Sequence, residues 1–144
     1  MTRGTNQQRT WMHNWLWAAA IYNFTWGAWV ILWPNQLFDL LGMARPLYPG
    51  IWQCVGMIVG VYAIGYAIAA TDPLRWWPLV LLGLVGKVLG PLGFVQAVWT
   101  GQFPLAFGVT LVTNDFIWWL PFGMILYRAW LRHTEAEDAA KRGG

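Results

Sequence analysis

Charged residues are scarce in this chain of 144 residues, in which Asp, Glu, Lys and Arg make up only 10%. An average soluble domain contains about 25% charged residues, so this chain has too few charges to solvate the surface of a soluble protein. Apolar residues make up 58% of the chain and aromatic residues 17%, including 13 tryptophans. This composition excludes a disordered chain and predicts a tryptophan-rich integral membrane protein.

Cysteine is nearly absent, because Cys54 is the only one. A single cysteine excludes a disulfide scaffold, and its place in an apolar segment indicates a small packing residue. The two histidines, His13 and His133, lie at the start of an apolar segment and in the C-terminal tail, and no Cys/His cluster has the spacing of a metal site. We therefore expect no metal and no cofactor.

Four apolar segments are long enough to cross a bilayer, which takes about 20 residues in a helix. They cover residues 11–33, 51–70, 74–99 and 103–131, and turn residues or prolines separate them. The alternating pattern of a membrane β-barrel is missing from residues 55–70. Because the connections are short, the sequence predicts an all-α integral membrane protein, a four-helix bundle of up-and-down neighbours.

The basic residues indicate how the bundle is oriented. Seven of the nine belong to one side of the predicted bundle: Arg3, Arg9, Arg75, Arg128, Arg132, Lys141 and Arg142. The positive-inside rule then predicts a multi-pass protein of the bacterial inner membrane with both termini in the cytoplasm. Residues 1–10 form a cytoplasmic segment, residues 11–132 the transmembrane domain and residues 133–144 a flexible cytoplasmic tail. The dispersed net charge of +3 suits the lipid bilayer as a partner and not nucleic acid.

Residues 35–45 separate the first two spans and are predicted to form a short interfacial helix. Asn35 is a candidate N-cap, while Asp39 and Arg45 face water and Phe38 lies in lipid. A loop that covers the end of the bundle is the alternative.

Polar residues inside the spans are the most informative ones, because a charge at mid-bilayer costs about 2.5–3.5 kcal/mol on insertion scales. Lys87 lies near the middle of the third span and Asp115 near the middle of the fourth. Asn23 and Tyr62 lie near the centres of the first and second spans. We predict that Lys87 and Asp115 meet as an ion pair inside the bundle, with Asn23 and Asn114 beside them.

Residues close to these charges support tight helix packing. Pro91 lacks the N–H that would bond the Lys87 carbonyl, so that carbonyl needs another partner. Trp118 and Trp119 follow Asp115 by one helical turn, and their indole N–H groups are predicted to reach its carboxylate. Four glycines at helical spacing let helices approach each other near Lys87: Gly83, Gly86, Gly90 and Gly93.

Three interpretations of this polar centre stay open. In the first, the pair of charges only fixes helix register and assembly. In the second, the centre is a chamber that holds a ligand head group or carries protons. In the third, one of the charges faces a partner subunit. The predicted centre consists of Lys87, Asp115, Asn114, Asn23, Trp118, Trp119 and Tyr62.

Residues 86–94 (GKVLGPLGF) and 114–122 (NDFIWWLPF) resemble segments of short bacterial four-span proteins without an established mechanism, some of which are labelled alkyl hydroperoxide reductase. The layout also resembles the DoxX-like group of small four-helix membrane proteins. The resemblance implies a four-helix membrane fold. The reductase label implies a peroxidatic and a resolving thiol, and Cys54 alone does not supply both.

The sequence therefore predicts a small binding or accessory membrane protein built around Lys87 and Asp115, either homo-oligomeric or part of a larger membrane complex. A membrane enzyme acting on an isoprenoid or sterol-like lipophilic small molecule is the alternative. In that enzyme Asp115 moves a proton and Trp118 or Trp119 stabilises positive charge. A proton-coupled small carrier that acts as a dimer is a further alternative.

Overall fold

The computed structural model describes residues 3–143, and their side chains from residue 10 to residue 142; the side chains of Arg3 and Arg9 lie outside this range. The described residues form helices and turns without any strand, which confirms the predicted all-α class. The long helices are α1 (Arg3–Leu32), α3 (Pro49–Thr71), α4 (Trp77–Trp99) and α6 (Ile117–Gly143). The short elements are α2 (Gln36–Leu40), a 3-10 turn (Leu105–Gly108), α5 (Val109–Leu111) and a π turn (Val112–Phe116).

Three stretches are long and apolar enough to cross a membrane, namely α3, α4 and the continuous helical stretch Leu105–Arg142. They support the prediction of a membrane protein. Helix α1 has the length of a span, but His13, Asn14 and Asn23 lower its average apolar character. Helix α6 also continues to Gly143, well beyond the end of the predicted fourth span, so the described part of the tail is helical.

Helices α1 and α3 pack closely at two glycines. A Cβ added to Gly27 would lie 2.6 Å from the Gly56 carbonyl oxygen, and a Cβ added to Gly56 would lie 2.9 Å from the Gly27 carbonyl oxygen. A Cβ added to Gly27 would also lie 3.1 Å from the Gly60 nitrogen. The Gly56-x-x-x-Gly60 motif therefore serves packing within the chain, and only the lack of side chains lets these backbones approach.

Helix α3 also meets α4 and α6 through Tyr66, which is fully buried. A Cβ added to Gly83 of α4 would lie 2.5 Å from the Tyr66 hydroxyl oxygen, so the tyrosine ring occupies the space that this glycine leaves. The Tyr66 ring also contacts the Phe122 ring of α6 at a centroid distance of 5.1 Å. Together with Leu16 of α1, these side chains form one apolar core to which all four long helices contribute.

Side-chain contacts show which helix ends lie together. At one end, Nδ1 of His13 donates a hydrogen bond to the Ala70 carbonyl (2.7 Å), and the Trp77 ring contacts the His133 ring at 6.0 Å. The opposite end contains α2 and the 3-10 turn. The turn after α3 and the last part of α6 therefore share an end with the N-terminal part of α1, as the up-and-down arrangement predicts.

Helix α2 is shorter than the predicted segment of residues 35–45, because it ends at Leu40 and Gly42 follows with a φ of +64°. Asn35 is the N-cap residue of α2, as predicted, but its side chain makes no capping hydrogen bond. After α2, Nε of Arg45 donates a hydrogen bond to Oδ1 of Asp39 (2.8 Å), and this hydrogen bond lowers the pKa of the Asp39 carboxyl group. Both of these side chains are exposed, as predicted, whereas Phe38 is buried against Trp52, so the prediction that it lies in lipid is wrong.

We expect Gly56→Ala to destabilise the protein, because the added methyl group has no space beside Gly27. Overpacking of this kind typically costs about 1–3 kcal/mol. The midpoint of thermal unfolding in mild detergent measures the effect. Gly65→Ala is the matched control on the same helix, because a Cβ there would meet no neighbouring atom within 4 Å in the described residues. Equal midpoints for the two variants would contradict the proposed packing.

Candidate functional site

A cavity of about 120 Å³ lies between α1, α3, α4 and the π turn, and we call it the polar cavity. Its lining consists of Asn23, Val59, Tyr62, Tyr66, Gly83, Gly86, Lys87, Asn114 and Asp115. Five of the seven predicted residues are therefore brought together, and Trp118 and Trp119 are not part of the lining. Residues that are far apart in sequence thus converge on one partly open space lined by polar groups.

Lys87 and Asp115 are both buried, with 5% and 3% of their surfaces exposed. Both lie in the described part of the chain, and no nitrogen–oxygen distance of 4.0 Å or less joins them. The predicted direct ion pair is therefore not formed. The two charges face the same cavity, where opposite charges still attract each other through a medium of low dielectric constant.

The Lys87 ammonium group uses other partners. Its Nζ donates a hydrogen bond to the main-chain carbonyl of Asn114 and lies 5.6 Å from the centre of the Trp118 ring. The Asp115 carboxylate accepts a hydrogen bond from Nδ2 of Asn114 at 3.3 Å. Asn114 thus contacts the lysine through its backbone and the carboxylate through its side chain, which places it between the two charges.

The Asp115 carboxylate lies against the backbone of α4 at Gly90. A Cβ added to Gly90 would lie 3.4 Å from Oδ1 and 3.5 Å from Oδ2 of Asp115. Glycine at this position leaves room for the carboxylate beside the helix. At Gly90 and Gly83 the space is filled by a polar or an aromatic side chain, and a Cβ at Gly93 would meet no described atom within 4 Å. Gly83 and Gly90 therefore make room for side chains and not, as predicted, for the backbone of a neighbouring helix.

The backbone that carries Asp115 is a π turn, which the sequence analysis missed. A π turn changes the hydrogen-bond register of a helix and occurs frequently at functional sites. Two carbonyls of this turn accept side-chain donors: Thr113 O accepts from Nε1 of Trp118 (2.9 Å) and Asn114 O accepts from Lys87. The sequence signal for this irregularity is the run of Thr113, Asn114 and Asp115, whose side chains compete for backbone hydrogen bonds.

The two indole groups do not bind the Asp115 carboxylate, so that prediction is wrong. Nε1 of Trp119 donates instead to the Lys87 carbonyl at 3.1 Å. This is the carbonyl that Pro91 leaves without its usual N–H partner. The expectation that this carbonyl needs a partner inside the bundle is therefore confirmed, and Trp119 supplies it.

Two amide oxygens of the site lack partners. Oδ1 of Asn23 and Oδ1 of Asn114 are buried, and neither has a hydrogen-bond partner among the described residues. Most buried polar atoms in folded proteins are hydrogen-bonded to protein or to water. Because both residues line the polar cavity, the site has unused acceptors for a guest that brings N–H or O–H donors.

Tyr66 is a site residue that the sequence analysis missed. It follows Tyr62 by one helical turn, and this spacing places both side chains on the same face of α3. Tyr22 lies nearby, since its hydroxyl group donates to Oγ1 of Thr113 at 3.0 Å. Cys54 is exposed on α3, so its interpretation as a packing residue is wrong.

Comparisons with models of protein families, with curated proteins and with solved structures find no match for this chain. The resemblance to DoxX-like proteins therefore stays a prediction. No group of three or more His, Cys, Asp or Glu side chains suited to a metal ion occurs within the described residues. The functional interpretation depends on the polar cavity itself.

We expect Lys87→Met and Asp115→Leu each to destabilise the protein, because each leaves the other charge buried without compensation. Removing one partner of buried charges typically costs about 3–5 kcal/mol. The double variant removes both charges, so its loss should be smaller than the sum of the two single losses. Unfolding midpoints of the four proteins measure this coupling. Strictly additive losses would show that the two charges do not interact, and the exposed pair Arg45 and Asp39 provides a control with little expected effect.

Proposed function

We propose that this chain is a small multi-pass binding protein of the bacterial inner membrane that holds the polar group of a lipophilic molecule in the polar cavity. The observation that carries the proposal is the set of buried Lys87, buried Asp115 and two unpaired amide oxygens around one space. Such a set is expensive inside a membrane, and intramembrane ionisable residues commonly mark a functional site.

The arrangement of contacts favours binding over a purely architectural role. A pair of charges that only fixed helix register would be stabilised best by direct contact and satisfied hydrogen bonds. Here Lys87 and Asp115 stay apart, and a space of about 120 Å³ separates the groups that line it. For scale, an engineered apolar cavity of about 150 Å³ admits benzene. The guest is therefore a compact group, about as large as one small ring.

The chemistry of the lining specifies that group further. The unpaired oxygens of Asn23 and Asn114 call for donors, while the Tyr62 hydroxyl group is able to donate or accept. The opposite charges of Lys87 and Asp115 cancel in net charge, so a charged guest would add an uncompensated charge to the membrane interior. A neutral group with a hydroxyl, amine or amide N–H fits these requirements.

The proposed topology has four spans, with α1 as the first, both termini in the cytoplasm and α2 at the outer interface. The packing of α1 along α3 at Gly27 supports this assignment, since α3 is a membrane-spanning candidate. Arg75 lies in the turn at the end of the molecule that contains the N-terminal part of α1, in agreement with the positive-inside rule. The exposed Asp39 and Arg45 beside buried Phe38 suit an interfacial α2.

A membrane enzyme that acts on a lipophilic substrate is the second candidate. The observation that favours it is the π turn at Asp115, because such turns are frequent at functional sites. This turn places the Asp115 carboxylate in the lining of the cavity that Lys87 also lines. Both groups are able to carry protons. A homo-oligomer, a dimeric proton-coupled carrier or a larger membrane complex is compatible with the same site.

We expect residues 10 and 36 to lie on opposite sides of the membrane if α1 is a span. In a Cys54→Ala background, Thr10→Cys and Gln36→Cys are labelled in intact spheroplasts with a maleimide that does not cross membranes. Gln36→Cys should react before lysis and Thr10→Cys only after it. Arg45→Cys and Asp72→Cys calibrate the two sides across α3. Labelling of Thr10→Cys and Gln36→Cys from the same side would exclude α1 as a span.

We expect a lipophilic molecule to co-purify with the wild-type protein in mild detergent and to be depleted by Gly86→Val. A Cβ at Gly86 lies 3.6 Å from the Tyr62 hydroxyl oxygen, so the larger side chain fills the cavity without a backbone clash. Gly93→Val is the matched control on α4, because a Cβ there meets no described neighbour within 4 Å. Native mass spectrometry identifies the molecule and its occupancy. Equal occupancy in both variants, or only bulk lipid on all proteins, would contradict the proposal.

A further inference from the structure

A second and larger cavity lies at the end of the molecule that contains α2, and we call it the outer groove. It has a volume of about 570 Å³, within the range of about 300–1,000 Å³ that is typical of ligand pockets. Its lining is mostly apolar and includes Phe38, Leu41, Met43, Ile51, Trp52 and Val55. Tyr48 and Gln102 add polar groups to it.

The outer groove and the polar cavity lie along one face of α3. Trp52 and Val55 line the groove, whereas Val59, Tyr62 and Tyr66 line the cavity. Successive members of this series are three or four residues apart, so their side chains share one face of the helix. The exposed fraction falls from 37% at Val55 to 1% at Tyr66. This face of α3 thus runs from an exposed apolar residue at the groove to a buried tyrosine at the polar cavity.

Aromatic rings of α4 and the 3-10 turn pack beside Trp52 of the groove. Phe94 follows Lys87 by seven residues on α4 and therefore lies on the lysine's side of that helix, two turns closer to the outer end. The Phe94 ring stacks on the Phe107 ring at 6.4 Å, and the Phe107 ring contacts the Trp52 ring at 6.2 Å. Phe94 and Phe107 line neither space, and the lining residues that bring the two spaces nearest to each other are Val55 of the groove and Val59 of the cavity, one helical turn apart on α3.

We propose that the polar cavity and the outer groove are the two ends of one site for an elongated, neutral lipophilic molecule. This inference rests on the proposed function and extends it to the class of ligand. A head group with a hydroxyl or N–H donor occupies the polar cavity, and a single apolar chain runs along the α3 face past Val59 and Val55 into the groove.

The dimensions fit a single-chain molecule. Trp52 and Tyr62 are ten residues apart on α3, which corresponds to about 15 Å along the helix axis. A bilayer lipid would keep its head group at the membrane surface and offer the groove only an acyl chain, which leaves the polar cavity without a partner. The opposite orientation, with the polar group buried at mid-membrane, places hydrogen-bond donors beside the amide oxygens of the cavity.

The test uses a long-chain primary alcohol with a photoreactive diazirine at the far end of its chain, added to the full-length protein in nanodiscs. Peptide mapping after irradiation locates the label. The proposal expects label at Ile51, Trp52 or Val55 in the wild-type protein. Gly86→Val reduces the volume of the polar cavity. Because the head group then has less room, this variant should lower labelling in the groove by about tenfold. Gly93→Val should label like the wild type.

The outcomes separate the two proposals. Groove labelling that Gly86→Val leaves unchanged, while that variant loses the co-purified molecule, overturns the single elongated site and keeps the proposed function. Absence of both a co-purified molecule and groove labelling overturns both. Loss of labelling in Gly86→Val with an unchanged unfolding midpoint supports the inference, since the variant then acts on binding and not on folding.

Discussion

A buried lysine in a membrane-spanning helix must find its partners within the protein, because the hydrocarbon offers none. Lys87 is held by hydrogen bonds at its side chain and at its main chain. Its ammonium group donates to the Asn114 carbonyl, and its own carbonyl accepts from the Trp119 indole. Both bonds run from α4 to the π turn and α6, so they fix the position of these segments. The bonding carbonyls are available because Pro91 and the π turn interrupt regular helix hydrogen bonding.

The same demand for space around polar groups explains where glycine occurs on the inner faces of the helices. Gly83 leaves room for the Tyr66 ring, and Gly90 leaves room for the Asp115 carboxylate. Gly27 and Gly56 act differently, because there the backbones of α1 and α3 approach each other directly, with the Val30 side chain also packed against Gly56. The close approach of α1 and α3 places Asn23 of α1 beside the tyrosines of α3, and the polar cavity follows from that approach.

The sequence predicted well how far along each helix the polar residues lie, and it predicted poorly which atoms their side chains contact. Apolar runs predicted α3 and α4 to within a few residues, and the positions of Asn23, Tyr62, Lys87 and Asp115 near the middle of their segments predicted that they would converge. The direct ion pair and the indole contacts were wrong for one physical reason. A π turn adds a residue to one turn, which rotates the following residues by about 100° relative to a regular α-helix. Hydropathy and residue spacing contain no measure of such a rotation. The run of Thr113, Asn114 and Asp115 indicates an irregular turn but not the direction in which the helix rotates.

The polarity of α1 has a related cause. Average apolar character counts all faces of a helix equally, and by that measure α1 falls below α3 and α4. Its polar side chains divide between two environments: Asn23 lines the polar cavity and Tyr22 bonds to Thr113, whereas His13, Asn14 and Thr25 are exposed. Ile21 and Phe24 are exposed by 62% and 66% and form its outer surface. The inward Asn23 therefore accounts for part of the lower average hydropathy of α1, and the exposed polar residues account for the rest.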